Sequence, residues 1–508
     1  MSDNQKVDNP ELFFGLVAPI GVDLNMIQAA IKTHLASVGY KSQFVHITEL
    51  MQTLPSKKAI KRSSLYEYYD SMIDFADDIR QRAETNNVLS ALAIQKIANI
   101  RATEKPPLTP EAKQEPLIGT AYIIRQFKRE EEIQLFRDVY GRKFIQISVY
   151  SDKEDRKNTL KRKITEYSTK TIGDSDAEIQ SIKLIEKDYH EENNEFGQRI
   201  SDVFHLGDVF VSGKSEKEAN TTIKRFINAF FGDNSVSPTK KEYGMYAAAG
   251  AALRSIDLSR QVGAAIFSSN GEVITLGCNE VPKAFGGTYW CDDPNPPFRD
   301  FEKGRDANQQ RKTEIIHDFL KRLSEEGYLK NDSLSEDDVA ALTKKLQKNK
   351  NLKNSQIMDI IEFGRMIHAE MCAITDASRL GKSLNGSNLF CTTFPCHMCA
   401  KHIVSSGIKR VVFLEPYPKS YAEKLHSDSI SFAERDQDTH VIFEPFIGIS
   451  PRRYRDLFEK KKRKDSTGKS RQWYDGSPQP RLEDTTAGYL DSEESTAGLL
   501  LKLYPKKD

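Results

Sequence analysis

The segment Pro395-Cys396-His397-Met398-Cys399 constrains this chain more than any other part of its sequence. With 20 Pro and 6 Cys in 508 residues, a Pro-Cys-x-x-Cys pattern is expected only about 0.003 times by chance. Two cysteines three positions apart at the start of a helix can share one metal ion. The N-terminus of a helix favours negative charge, so both thiols are suited to bind as thiolates. The pattern predicts a metal centre, and zinc is the expected ion.

His368 and Glu370 form the second half of this constellation. A His-x-acid pattern alone is uninformative, because about 1.4 occurrences are expected by chance and the chain contains three. Next to the two cysteines, however, His368 would complete a three-ligand site whose open fourth position is typical of catalytic zinc. Glu370 would then be the proton carrier rather than a ligand.

The spacing of this pair sets a geometric condition. On a regular helix, His368 and Glu370 point about 200° apart. Both can face one site only if the motif occupies the first helical turn, and the segment Glu362-Phe363-Gly364 can supply the break before it. A closed zinc site with His397 or Cys391 as fourth ligand is the structural alternative. We favour the open site, since a closed one leaves Glu370 without a purpose.

Alternating strand and helix patterns predict an α/β fold in two domains. In residues 1–235, short apolar runs such as 12–17 and 144–150 alternate with helical patterns, which implies a parallel sheet. A second domain at 240–455 contains an Asn-Gly turn between two apolar runs, which predicts a hairpin. Residues 286–362 interrupt this domain as a helical insert, and 456–508 form a polar tail.

Composition and charge exclude several classes of protein. The 74 Lys plus Arg balance 73 Asp plus Glu, for a net charge of +1, so no overall basic field indicates a nucleic-acid-binding protein. No segment approaches the ~20 apolar residues of a membrane span. Acidic residues precede the apolar run 12–22, where a secretory signal would be basic. Together with the uneven distribution of the cysteines, this predicts a cytoplasmic protein without a disulfide framework.

The second domain resembles the zinc deaminases, in particular their deoxycytidylate branch. His-x-Glu followed by Pro-Cys-x-x-Cys is the deaminase signature, and the segments 259–266, 277–282, 367–373 and 394–412 look like that branch. The resemblance implies a cytidine-deaminase-like α/β/α domain with one zinc ion. Outside the signature, the insert offers only Cys291 and His317 as further ligands, so we expect no second zinc.

The same resemblance implies a set of substrate contacts. Asn279 should contact the sugar, Ala369 the pyrimidine through its backbone, and Tyr417 the base by stacking, while Arg260 and Lys283 are candidates for the phosphate. Each has a structural alternative: Asn279 can cap a turn, and Arg260 and Lys283 can be surface charges.

The first domain resembles a P-loop nucleotide kinase whose loop is degenerate. Gly15 and Gly21 are its P-loop-like glycines, but the lysine and the Ser or Thr that would meet phosphate and Mg²⁺ are absent. Asp23 places a carboxylate where an anion should bind, and a helix-capping role explains it better. We therefore favour nucleotide sensing or a purely structural role for this domain over ATP hydrolysis.

A degenerate kinase-like domain joined to a deaminase domain resembles the bacterial antiphage dCTP deaminases. That resemblance implies deamination of dCTP to dUTP, and of dCMP to dUMP, which depletes a DNA precursor during infection. It also implies a small deoxycytidine nucleotide as partner, with a homo-oligomer and an inhibitory regulator as further expectations. Two alternatives stay open at this point: a tRNA or single-stranded DNA deaminase, and a non-enzymatic sensor or scaffold.

Overall fold

The computed structural model describes residues 7–107, 109, 114–167, 172–189, 191, 194–293, 298–329, 334–349, 355–417 and 420–504. Its strands, in chain order, are β1 (Leu12–Val17), β2 (Lys41–His46), β3 (Thr120–Phe127), β4 (Phe144–Tyr150), β5 (Val209–Ser212), β6 (Gly263–Phe267), β7 (Val273–Cys278), β8 (Asn388–Thr393), β9 (Arg410–Glu415), β10 (Ile430–Ser431), β11 (Val441–Pro445) and β12 (Gly448–Ile449).

The α-helices follow in the same order. They are α1 (Leu24–Ala36), α2 (Ile47–Leu50), α3 (Leu65–Ala83), α4 (Val88–Glu104), α5 (Glu130–Tyr140), α6 (Lys153–Glu166), α7 (Asp174–Tyr189), α8 (Ile200–Phe204), α9 (Glu216–Phe230), α10 (Lys240–Ala252), α11 (Asp300–Lys303), α12 (Ala307–Glu325), α13 (Glu336–Lys348), α14 (Ala369–Arg379), α15 (His397–Ser405), α16 (Ala422–Leu425), α17 (Pro451–Phe458) and α18 (Tyr489–Leu501). Short 3₁₀ turns occur at Met51–Thr53, Gly141–Lys143, Gln356–Asp359 and Glu434–Asp436.

The chain divides into two compact units. The first contains residues 1–242 and 446–508, and the second contains residues 243–445. We predicted a domain at 240–455 and a separate polar tail at 456–508. The tail instead belongs to the first unit, because α18 buries Tyr489 in that unit's core. Residues 446–455, which we predicted in the second domain, also belong to the first unit, since β12 pairs with β5.

A mostly parallel sheet forms the centre of the first unit. Its strand order is β12-β5-β4-β1-β3-β2, and only β12 runs antiparallel to its neighbour. Alternate residues of β1 point to opposite faces, so Phe13 joins one apolar cluster and Leu12 and Phe14 join another. Both faces are therefore buried, as the alternation of strands and helices predicts. The kinase-like nature of this unit stays a prediction.

The loop after β1 differs from a phosphate-binding loop. Gly15, predicted as P-loop-like, lies inside β1, where a Cβ would approach the Phe144 ring to 2.6 Å. Gly21 does lie in the turn, with a φ of +95°. Asp23 caps α1, accepting a hydrogen bond from the backbone N–H of Asn25, as we expected. The N–H of Ile20 donates to the carboxylate of Asp188 at 2.6 Å, so an internal anion occupies part of this loop.

A buried polar network holds α18 against the first unit. The guanidinium of Arg101 donates to both oxygens of Glu493 at 2.7 and 3.0 Å and to the carboxylate of Glu11 at 3.1 Å. The hydroxyls of Tyr140 and Tyr489 donate to Glu493 and Glu11, respectively. Arg101 is fully buried, so it is the cation that two desolvated carboxylates share.

We expect Arg101→Met to destabilise the first unit by about 3–5 kcal/mol, because two buried carboxylates lose their shared partner. Trp473 lies in this unit and Trp290 in the other, and the chain has only these two tryptophans. In a Trp290→Phe background, Trp473 fluorescence during urea unfolding therefore reports the first unit. Arg455→Met, which breaks an exposed pair with Glu459, is the control and should cost under about 0.5 kcal/mol. A loss below about 1 kcal/mol in Arg101→Met contradicts this account of the network.

A mixed sheet forms the second unit. Its order is β10-β11-β9-β8-β6-β7; β6 pairs antiparallel with β7 and β8, and the other pairs are parallel. The predicted hairpin is confirmed, since β6 and β7 are joined by the turn 268–271. The insert forms α11, α12 and α13. Among the described residues of the chain, no helix combines the length and apolar character of a membrane span.

Candidate active site

The structure brings together the three predicted metal ligands, His368, Cys396 and Cys399. Nδ1 of His368 lies 3.2 Å from Sγ of Cys396 and 3.4 Å from Sγ of Cys399. The potential ligand atoms of all three lie within 4.8 Å of one another. One imidazole and two thiols form a donor set suited to zinc, and three donors leave a coordination position for substrate or water. The residues present therefore fit the expected ion.

Two helix starts create this cluster. His368 is the extended residue immediately before α14, and Cys396 holds the same position before α15. The helices begin at Ala369 and His397. Glu370 is then in the first turn of α14, which meets the condition for His368 and Glu370 to face one site. Cys399 lies in the first turn of α15.

A close approach of strand and helix fixes the start of α14. A Cβ at Gly277 in β7 would lie 2.2 Å from the carbonyl oxygen of Ala369 and 2.6 Å from the backbone nitrogen of Ala373. Only a glycine permits this contact, because any side chain would push the helix away from the sheet. Gly277 therefore contributes to the placement of His368.

The two thiols differ in their affinity for a proton. A hydrogen bond from the Cys399 thiol, aided by His368, lowers the pKa of Cys396 to about 4 against the opposing effect of burial. The same hydrogen bond, together with burial, raises the pKa of Cys399. The hydrogen bond to Cys396 raises the pKa of His368. Cys396 is therefore the first thiolate of the set, and binding of a cation favours loss of the second proton.

Glu370 is buried beside the ligand set. Burial raises the pKa of its carboxyl group, and the negative charge of Cys396 raises it further. A carboxyl group with a raised pKa holds and releases a proton closer to neutral pH, as general acid–base catalysis requires. Its position next to a metal-ligand set makes it the candidate proton carrier.

A cavity of about 340 Å³ opens onto this cluster. Four of the five predicted substrate contacts line it: Arg260, Asn279, Ala369 and Tyr417. The fifth, Lys283, is not among the lining residues, and its Nζ pairs with Asp293 at 3.0 Å. For Lys283, the alternative of a surface charge therefore describes the structure better than a phosphate contact.

The predicted contacts differ in how they are held. The side chain of Asn279 accepts a hydrogen bond from the N–H of Val262 at 2.7 Å and donates to the carbonyl of Arg260 at 2.8 Å. Its amide therefore stabilises the loop before β6 as well as facing the cavity. Arg260 pairs with Glu415 at 3.3 Å, and its guanidinium lies 5.2 Å from the ring centroid of Tyr417. Arg260 and Tyr417 are thus neighbours on one wall.

The insert supplies a wall of the cavity that sequence reasoning missed. Its contribution, with the segment that returns to α14, consists of Asp300, Asp306, Asn308, Gln309, Lys312, Ile361, Gly364, Arg365 and Met366. No motif marked these residues. The available signal was positional, since the insert ends only six residues before His368.

The closed-site alternative lacks a fourth ligand among the described residues. The thiol of Cys391 donates to the carbonyl of Val412, at 3.7 Å. Nε2 of His397 lies 3.3 Å from the carboxylate of Glu362. Neither residue joins the described group of three potential ligands. The open three-ligand site is the one that the structure presents.

Residues 238–415 match the family model of the cytidine and deoxycytidylate deaminase zinc-binding region. The second unit therefore carries a CMP/dCMP-type zinc-binding deaminase domain. The matched segment begins within a few residues of the start of α10 and includes His368, Glu370, Cys396 and Cys399.

Curated and solved proteins show further similarities. The chain is 48% identical to the deoxycytidylate deaminase of Enterobacteria phage T2 over 54 residues, which are 11% of this chain and 29% of the relative. It is 42% identical to ComE operon protein 2 of Bacillus subtilis (strain 168) over 62 residues, 12% of this chain and 33% of the relative. The crystal structure of the dCMP deaminase from the cyanophage S-TIM5 with dCMP and dUMP aligns at 20% identity and a TM-score of 0.23, covering 41% of this chain and 98% of that one. The chain thus spans about a third or less of these curated relatives.

Proposed function

We propose that the second unit is a zinc-dependent hydrolase that deaminates the cytosine ring of deoxycytidine nucleotides. The observation that carries this proposal is the position of Glu370, a buried acid in the first turn of α14, beside a His/Cys/Cys donor set at the end of a cavity. A proton carrier next to such a donor set is the arrangement that hydrolytic deamination requires.

In this proposal the chain's own residues bind the nucleotide and move two protons. Zinc, held by His368, Cys396 and Cys399, supplies Lewis-acid activation of the attacking water. Glu370 takes a proton from the water that attacks C4 of cytosine. It gives that proton to the ring nitrogen N3 as the C4–O bond forms. It then moves the second proton of the water, from the hydroxyl now on C4, to the amino group, which leaves as ammonia when the C4–N bond breaks.

The cavity wall would orient the substrate. Asn279 contacts the sugar, the backbone of Ala369 contacts the base edge, and Tyr417 stacks on the ring. Arg260, which lies over Tyr417, is the remaining predicted phosphate contact that lines the cavity. A cavity of this size suits a free nucleotide, whereas a polynucleotide deaminase needs a basic track. We therefore favour the free nucleotide.

The finer proposal is that dCTP and dCMP are both substrates and that consumption of dCTP limits phage replication. The first unit would have a sensing or structural role rather than hydrolyse ATP. Two contacts support this role. The carboxylate of Asp188 accepts a hydrogen bond from the N–H of Ile20, and Asp23 caps α1, so carboxylates stand where a phosphate would bind. A homo-oligomer and an inhibitory regulator stay predictions.

The test is ammonia release from a nucleotide panel. Purified full-length protein with bound zinc is incubated with dCTP, dCMP, CTP, dATP and a cytidine-containing single-stranded oligonucleotide. We expect ammonia from dCTP and dCMP together with the corresponding uracil nucleotide. Release from the oligonucleotide alone would instead favour a polynucleotide deaminase, and release from none would refute the enzyme assignment.

A further inference from the structure

The second unit contains a buried ion pair that the proposed chemistry does not use. Nε and Nη2 of Arg299 lie 3.1 and 2.9 Å from Oε2 of Glu280. Oε2 of Glu280 also accepts from the N–H of Ile256, at 3.3 Å, and Oε1 accepts from the N–H of Val281, at 2.9 Å. Both members of the pair are at least 95% buried. A desolvated carboxylate held this completely fixes the backbone around it.

The backbone of Glu280 connects the two halves of the candidate site. Its carbonyl oxygen accepts a hydrogen bond from the N–H of Ile367, at 3.1 Å. Ile367 immediately precedes the metal ligand His368, and Glu280 immediately follows Asn279. A displacement of Glu280 would therefore move a predicted sugar contact and the start of α14 together.

Asn279 depends on the same convergence of segments. The hydroxyl of Ser255 donates to its carbonyl oxygen, at 2.6 Å. Its side-chain amide is bonded to the backbone at Arg260 and Val262 and lies 3.8 Å from Sδ of Met366. The segments 255–262, 279–281 and 366–368 thus meet at one point, and the carboxylate of Glu280 is the charge buried there.

The cation that pairs with Glu280 is Arg299, which lies in the insert. Arg299 is the residue before α11, and its backbone N–H donates to the carboxylate of Glu302, at 3.1 Å. The next residue, Asp300, lines the cavity and pairs with Arg365 in the segment that returns to His368. The insert and the segment that follows it are therefore both tied to the site.

We propose that Arg299 is a positioning residue for this site, acting through Glu280 on Asn279 and on the segment that presents His368. The insert then contributes to the position of substrate-binding and metal-binding residues of the site. This inference rests on the proposed function for its substrate, but the contacts that carry it also concern metal retention.

The main test compares Arg299→Met with the wild-type protein. Removing the cation leaves Glu280 without its charged partner, so the backbone at 279–281 and 367 shifts to resolvate it. We expect KM for the preferred cytosine nucleotide to rise about tenfold, with a smaller change in kcat, because substrate placement is disturbed more than the proton transfer at Glu370. We also expect zinc to pass to a chromogenic chelator about tenfold faster, as when a group supporting a metal ligand is lost.

Three further variants separate positioning from a structural role. The double variant Glu280→Gln/Arg299→Met removes both charges, so it folds even if the single variant does not. Arg299→Lys restores the charge without the two-nitrogen contact and should recover a large part of the loss. Arg322→Met is the matched control, since it breaks an exposed Arg–Asp pair on α12 of the same insert.

The inference is supported if the single or double variant shows the KM rise and the faster zinc transfer while Arg322→Met shows neither. It is overturned if these variants lose thermal stability but keep KM, kcat and the zinc-transfer rate within about twofold of the wild type. If the wild-type protein deaminates no nucleotide, the proposed function fails, and the zinc-transfer rate then tests the positioning role separately.

Discussion

We expect Glu370→Gln to lower kcat for deamination by about 10³–10⁴-fold while zinc remains bound at one ion per chain. Glutamine keeps the shape of the side chain but cannot take a proton from the attacking water. Zinc binding does not depend on the carboxyl group of Glu370, because the three donors are the imidazole of His368 and the thiols of Cys396 and Cys399. The measurements are steady-state ammonia release and zinc content by elemental analysis of the same preparation.

The matched control is Glu336→Gln in α13, which neutralises an exposed glutamate that pairs with Lys321. It should leave kcat, KM and zinc content unchanged. Retention of more than about a tenth of the activity in Glu370→Gln would show that another group carries the proton. Loss of zinc in that variant would show that Glu370 is a ligand, which would refute the assignment of roles at this site.

We expect Cys399→Ala to lose zinc and deaminase activity together. Cys399 is completely buried and lies 3.4 Å from His368. Without it, two donors remain, too few to hold the ion tightly. Activity should fall below detection, by at least about 10³-fold, because activation of the attacking water is lost with the ion. Zinc content and activity are measured after gel filtration, and circular dichroism checks that the variant is folded.

Two other cysteines provide the controls. Cys291→Ala changes an exposed cysteine, and Cys391→Ala changes a buried one that was the alternative fourth ligand. Both variants should keep one zinc per chain and their activity. If Cys391→Ala released zinc, Cys391 would be a fourth ligand and the site would be closed. The site would then have no open coordination position for the attacking water.

The metal ligands could be predicted from sequence because their information is local. Cys396 and Cys399 are three residues apart, and the helix that begins there follows from the same segment. The alternation of strand and helix patterns likewise predicted the parallel sheet, and the Asn-Gly turn between two apolar runs predicted the β6–β7 hairpin. In each case the physical requirement, a shared ion or a buried face, acts on residues within one element.

The predictions that failed depend on contacts between residues that are separated in the sequence. Arg101 and Glu493 are 392 positions apart, so nothing near Glu493 shows that it will be buried, and the tail was interpreted as polar. Lys283 fits a substrate role by its neighbours in sequence, but Asp293 neutralises it in space. Gly15 was named as a P-loop-like glycine, but it lies inside β1, where the ring of Phe144, distant in sequence, leaves no room for a side chain. The insert's wall of the cavity also depends on long-range packing.

The return of the chain to its first unit has a consequence for synthesis. The sheet that begins with β1 is finished only when β12 emerges, and α18 follows later still. During translation, residues 243–445 leave the ribosome as one uninterrupted stretch while the first unit still lacks its last strand, β12, and its last helix, α18. The second unit, which carries the zinc-binding domain, can therefore complete its fold first. The unit that begins first in the sequence is then the last to be completed.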